Sequence, residues 1–145
     1  MPSIASISGE IRIGEYKDLY KVPFAVTYVF EAQDFGAGDW TQLIETPPGY
    51  YGFLKTIDLY NVTEIFSTTT TEAKVNVGTA GDADAYGSSP DLGALAVDAA
   101  DSPTITYGVT QIIPANSSVQ VQGIAPTGGT PTGIATTAVT IIYFK

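Results

Sequence analysis

Apolar and polar side chains alternate with a period of two along most of this chain. In the segment 22–30, the large residues Phe24, Val26, Tyr28 and Phe30 fall on one face of an extended backbone. The same alternation recurs in later segments, namely 52–66, 73–77, 105–109, 119–121 and 135–144. A period of two is typical of strands with one buried face, and the many β-branched and aromatic residues favour strands as well. The pattern predicts about eight strands and no long helix.

Turn-forming residues separate these segments. Glycine, proline and aspartate are concentrated at 34–39, 47–49, 81–90 and 126–133. Short alternating strands between such breaks indicate an all-β protein, and we predict an antiparallel β-sandwich of jelly-roll type. One long irregular connection is expected from about Gly78 to Pro103, within which 92–100 could form a single turn or a short helix. A connection of that length usually has a function or packs against a neighbour.

A chain of 145 residues is the usual size of one domain. We predict a single β-sandwich domain over 11–145, preceded by an N-terminal arm over 1–10. In that arm Ile4 and Ile7 stand among small and polar residues, so it could lie along a partner surface or be a frayed terminus. We expect no signal peptide and no membrane-spanning segment, and hence synthesis in a cytosol.

The composition excludes several classes of function. The chain contains no histidine and no cysteine, which removes the usual catalytic triads, thiol nucleophiles and His- or Cys-ligated zinc. We therefore predict that it is not an enzyme and holds no cofactor. The formal charge is −9, with 15 acidic against 6 basic residues. Nucleic acids are bound through lysine and arginine, so we do not expect a nucleic-acid partner.

Two acidic residues resemble the start of a calcium loop. Asp82 and Asp84 stand in D-x-D spacing, with Gly87 at the sixth position. Tyr86 replaces the third ligand and Gly93 stands where a bidentate glutamate belongs, so a solvated turn is the alternative.

Other side chains offer weaker hints of a site. A glycosidase needs one carboxyl group held protonated and another ionised, and Asp58 and Glu31, which fall inside predicted strands, are the candidates for such a pair. Trp40, Tyr50 and Tyr51 stand near the Pro47-Pro48-Gly49 turn. They could form an aromatic platform for a sugar, or they could be core or subunit-interface residues.

The last two-thirds of the chain contains several distinctive stretches, namely VTEIF at 62–66, VNVGTAGDADAY at 75–86, the acidic Ala- and Gly-rich connection through Asp98 and Asp101, GIAT at 133–136, and the Val/Ile/Tyr-rich C-terminal strand. In these stretches it resembles the jelly-roll cement (decoration) proteins of tailed bacteriophage capsids. The likeness covers about 54–145.

The resemblance implies a homotrimer on the outside of an icosahedral capsid, where it stabilises contacts between major capsid proteins in the virion. If so, Leu92, Leu95 and Val97 of the long connection are expected at the subunit interface, because a chain in water rarely leaves such residues uncovered. They could instead fold back on their own sandwich as a lid. Two alternatives stay open: a carbohydrate- or receptor-binding module of a fibre, and a tail or baseplate protein.

Overall fold

The computed structural model describes residues 22–67 and 70–145. The predicted arm over 1–10, with Ile4 and Ile7, lies outside the described residues. Elsewhere the backbone forms strands, and no helix occurs within the described ranges. The strands are β1 (Phe24–Asp34), β2 (Trp40–Glu45), β3 (Tyr51–Glu64), β4 (Lys74–Gly78), β5 (Gly87–Ser88), β6 (Thr106–Tyr107), β7 (Ile112–Ile113), β8 (Ser118–Ile124) and β9 (Ile134–Phe144).

The strands form two antiparallel sheets. The first has the order β1-β9-β3-β7 and the second has the order β2-β8-β4-β5-β6. Early strands alternate between the sheets, so β1 and β3 lie in one and β2 and β4 in the other. Strand β9 then returns between β1 and β3, as β8 returns between β2 and β4. This is the double Greek-key order of a jelly roll, and it confirms the predicted fold class.

The C-terminal strand β9 lies in the middle of the first sheet. It pairs with β1 from Phe24↔Tyr143 to Asp34↔Ile134, and with β3 from Tyr51↔Phe144 to Glu64↔Ile134. Its inward residues are buried, and even outward Thr136 and Ala138 are only 3% exposed. A run of small, β-branched and aromatic residues suits a strand that has a neighbour on each side.

The inward faces of both sheets supply the core. Its largest fully buried side chains are Tyr143, Phe35, Phe66, Leu54, Ile57, Leu59, Ile113 and Ile141. The Tyr143 hydroxyl lies 2.6 Å from that of Tyr28, which in turn donates to the carbonyl of Glu45 at 3.3 Å. Burial, reinforced by the hydrogen bond to Tyr28, raises the pKa of Tyr143 far above its ordinary value.

The long connection is more ordered than its composition predicts. Strand β5 interrupts it. Residues 89–92 then continue beside β4, where Ser89 N–H donates to Val75 C=O and Leu92 N–H donates to Ala73 C=O, and residues 95–101 run alongside the C-terminal half of β3. Phe66 N–H donates to Leu95 C=O at 3.0 Å, Asp98 N–H donates to Val62 C=O at 2.9 Å, and Leu59 exchanges two backbone hydrogen bonds of 2.8 Å with Asp101. These bonds pair backbone groups along the part of the β3 edge that β7 does not reach. Of the single turn or short helix considered at 92–100, a single turn forms, in which Ala99 N–H donates to Ala96 C=O at 3.1 Å. No helix forms there, because the backbone on either side of this turn bonds to neighbouring strands.

Candidate interaction surface

The outer face of the first sheet carries a row of apolar side chains across all four of its strands. Ala25 of β1 pairs with Ile142 of β9, Ile142 pairs with Phe53 of β3, and Phe53 pairs with Ile112 of β7. Their sequence neighbours Gly52, Ile141 and Ile113 face the core, so these four side chains face outward. We call Ala25, Ile142, Phe53 and Ile112 the apolar row.

Aromatic rings extend the apolar row at both of its long sides. Tyr51 stacks on Phe144 with centroids 6.0 Å apart, and Phe53 stacks on Tyr107 at 5.2 Å. Tyr107 also donates from its hydroxyl to the carbonyl of Leu54 at 3.0 Å, which fixes its ring. Tyr51 remains 46% exposed and Ile112 43% exposed. Rings held by their neighbours lose little side-chain entropy when a partner covers them.

The same face becomes more mixed along the strands. The next row is made of threonines, Thr27, Thr140 and Thr56, and the hydroxyls of Thr27 and Thr140 lie 2.8 Å apart. The row after it runs from exposed Val29 through Ala138 to Asp58, whose carboxylate accepts hydrogen bonds from Thr56 at 3.0 Å and from Ser102 at 2.6 Å. The face thus has an apolar end and a mixed end that carries an acidic residue.

The outer face of the second sheet has a different character. Its central row is Thr41, Gln122, Asn76 and Ser88, all of them polar and uncharged. Leu43, 70% exposed, is an isolated exception on this face. Single exposed apolar residues are common, whereas a contiguous aromatic and aliphatic surface without acidic residues is typical of the centre of a protein interface. The two outer faces are therefore chemically unequal, and the apolar row marks the first as the candidate for binding.

The structure separates the three apolar residues predicted in the long connection. Leu92 is buried in the core of its own chain at 6% exposure, and Leu95 packs half-buried against that core. Val97 is 52% exposed. Two of the three therefore occupy the lid position that was the alternative to a subunit interface, and Val97 retains most of its surface for contact.

The aromatic residues proposed as a platform lie at two ends of the molecule. Trp40 packs on Phe30 and Phe35, at one end of β1. Tyr50 packs on Phe24 at the other end, six residues away, or about 20 Å along a strand. A platform of all three is therefore wrong on geometric grounds. Trp40 belongs to the core edge, where its indole covers Gly123.

The acidic loop does not gather ligands for a metal. Among the described residues, no group of three or more His, Cys, Asp or Glu side chains is placed to hold an ion. The turn containing Asp82 is closed by Thr79, which accepts from Asp82 N–H through its hydroxyl at 3.1 Å, and whose N–H donates to Asp82 C=O at 2.8 Å. The turn is therefore closed by backbone groups and the Thr79 hydroxyl, without the carboxylate of Asp82 or of Asp84.

Asp58 and Glu31 are not brought together as a catalytic pair. Asp58 faces a shallow cavity of about 280 Å³ between β3 and the connection, lined also by Lys55, Ser102 and Tyr107. The hydrogen bond from Ser102 ties the connection to β3, and the one from Thr56 lies within β3, so both are structural uses of the carboxylate. Glu31 lies exposed at the irregular end of β1.

Sequence reasoning did not single out the apolar row. Period-two alternation identifies inward residues, and it assigns Ile142 and Phe53 to the opposite, nominally polar, face. The sequence did contain a signal for this surface, because large apolar residues occupy that outward face in 51–53 and in 142–144. Only the register across four strands shows that they form one row.

In comparisons with known proteins, no protein-family model, no curated protein and no solved structure matches the chain. Within 22–67 and 70–145 there is also no helix that is long and apolar enough to cross a membrane.

Proposed function

We propose that this protein is a structural decoration protein, which binds as a homotrimer to the outer surface of a bacteriophage capsid and stabilises contacts between major capsid proteins. The observation that carries the proposal is the apolar row, an uncharged binding surface on one outer face of a jelly roll whose other outer face is polar. The sequence resemblance to cement proteins agrees with it. Attachment, and not turnover, is the task that such a surface suits.

The chemistry of the surface predicts how attachment would respond to salt. The apolar row contains no charged residue, and Lys55 and Lys145 are the nearby basic side chains on β3 and at the C-terminus. Binding through apolar contact and shape depends weakly on ionic strength, unlike binding steered by opposite charges. A trimer would also dock multivalently, so modest contacts by each subunit give firm attachment.

The test is to add purified protein to expanded capsids of the encoding phage from which the protein has been stripped. We expect saturation at a multiple of three copies for each three-fold position, little change between low and high salt, and greater resistance of the capsid to heat. Ile112→Lys should weaken binding strongly, because it places a charge in the apolar row. Leu43→Lys is the matched control: it makes the same kind of change at an exposed residue of the other sheet, and binding should persist.

Failure of the parent protein to bind capsids would refute the capsid proposal. Saturable binding to a host glycan, or location of the protein in the tail or baseplate, would assign it to one of the other two classes. A glycan site would have one structural argument in its favour, the cavity beside Asp58, where Ser102, Thr104 and the ring of Tyr107 offer hydroxyls and an aromatic face.

A further inference from the structure

The free edge of β1 is the longest sheet edge in the described part of the molecule. Strand β1 has eleven residues and ends the first sheet, with β9 on its only paired side among the described residues. The other three edge strands are β2 with six residues, and β6 and β7 with two each. An edge strand presents unpaired backbone donors and acceptors, which another strand can bind.

This edge lacks the features that usually prevent strand pairing. Residues 24–30, Phe-Ala-Val-Thr-Tyr-Val-Phe, include no charged residue and no proline. They pair with β9 in unbroken register, and the first irregularity comes after Phe30, where Ala32 has a φ of 48°. Lysines, prolines and bulges are the common protections of natural edges. Here the proline, Pro23, precedes residue 24 and the bulge follows Phe30, so neither protects the residues between them.

The edge is also self-complementary. The seven residues are nearly palindromic about Thr27, so two antiparallel copies would align Phe24 with Phe30, Ala25 with Val29, and Val26 with Tyr28. Aromatic and β-branched pairs of this kind stabilise antiparallel strands. The two Glu31 side chains would lie eight residues apart along the strand, about 26 Å, which avoids a like-charge contact.

We infer that β1 pairs with β1 of a second copy of this chain, antiparallel and around a two-fold axis at Thr27. The two four-stranded sheets then join into one, and the apolar rows of both copies lie on the same side of it. Charge favours this place for self-association, because a chain with a net charge of −9 must meet its copy through a segment without acidic residues. The inference does not depend on capsid binding, and the contact is distinct from any three-fold interface.

Cysteine cross-linking tests both the contact and its register, since the natural chain has no cysteine. Residues directly opposite in an antiparallel pair have Cα atoms about 4.5 or 5.5 Å apart, within the range that a disulfide bridges. Thr27→Cys should therefore form a covalent dimer under mild oxidation at low protein concentration. Ala25→Cys alone should not, because its two copies would lie about 13 Å apart along the strand. A mixture of Ala25→Cys and Val29→Cys should cross-link.

Charge reversal provides an independent readout. Thr27→Lys and Thr27→Glu each place like charges on the two-fold axis, so each should shift sedimentation towards smaller species than the parent forms, while their mixture should restore the larger species. Thr27 is exposed, so both variants should remain folded, which a thermal melt checks. Leu43→Cys is the background control for cross-linking. The inference is overturned if Thr27→Cys cross-links no faster than Leu43→Cys. It is also overturned if Ala25→Cys alone cross-links as fast as the mixture. In either case β1 does not pair with a second β1 in the register centred on Thr27.

Discussion

Replacing Tyr143 with phenylalanine should lower stability at neutral pH and yet make the protein less sensitive to alkali. The side chain is completely buried, and its hydroxyl lies 2.6 Å from that of Tyr28. Removing it leaves Tyr28 with its longer bond to Glu45 C=O, at 3.3 Å. The loss of one partly buried hydrogen bond lowers the free energy of unfolding by about 1 kcal/mol.

At alkaline pH the loss of the Tyr143 hydroxyl favours the variant, because it removes a group whose ionisation destabilises the folded parent. Burial raises the pKa of Tyr143 in the folded state, so above about pH 10 the unfolded chain releases this proton while the folded chain keeps it. The unfolded state then binds fewer protons, and the free energy of unfolding falls as pH rises, by about 1.4 kcal/mol per pH unit. The phenylalanine side chain of the variant has no proton to lose, so the parent and the variant should become equally stable at about pH 11.

Urea denaturation followed by circular dichroism at pH 7, and at several values from pH 9 to 11, measures both effects. Titrating groups other than Tyr28, the hydrogen-bond partner of Tyr143, have the same surroundings in the two proteins, so they cancel in the difference between them. Tyr60→Phe is the matched control: it removes a hydroxyl from a 40% exposed ring, and should leave stability at pH 7 unchanged and the alkaline loss intact. A stability difference between Tyr143→Phe and the parent that stays constant from pH 7 to 11 would show that Tyr143 is not the alkali-sensitive group.

Three further predictions follow from the packing. Truncation after Gly133 removes β9 and leaves β1 and β3 without their shared neighbour, so the product should fail to melt cooperatively; a cooperative thermal transition would contradict this. Gly123→Ala should lower the free energy of unfolding by about 1–3 kcal/mol, since a Cβ there overlaps the Trp40 indole, while Gly81→Ala, with open space around it, should be neutral in the same urea titration. Added calcium should not shift the melting temperature, because the loop around 82–84 gathers no third acidic ligand, and a rise in that temperature would show that a site exists.

The sequence by itself determined the class of the fold. Period-two alternation in residues such as Val75 and Val77, with glycine- and proline-rich breaks, predicts strands, because side chains of a strand alternate between its faces. The β-branched and aromatic residues of 135–144 likewise predict the C-terminal strand that the structure shows as β9. The absence of histidine and cysteine restricted the chemistry in the same direct way, since composition needs no tertiary structure.

The tertiary structure alone decided which residues share a surface. Ala25, Phe53, Ile112 and Ile142 are far apart in sequence, and the pairing of four strands brings them into one row. For the same reason the platform proposed for Trp40 and Tyr50 was wrong: nearness along the chain does not mean nearness in space when β2 runs between them. The alternation of side chains depends only on residues that are close in sequence. Which residues of different strands become neighbours on a surface depends on the register, and the register is set by contacts between strands that are distant in sequence.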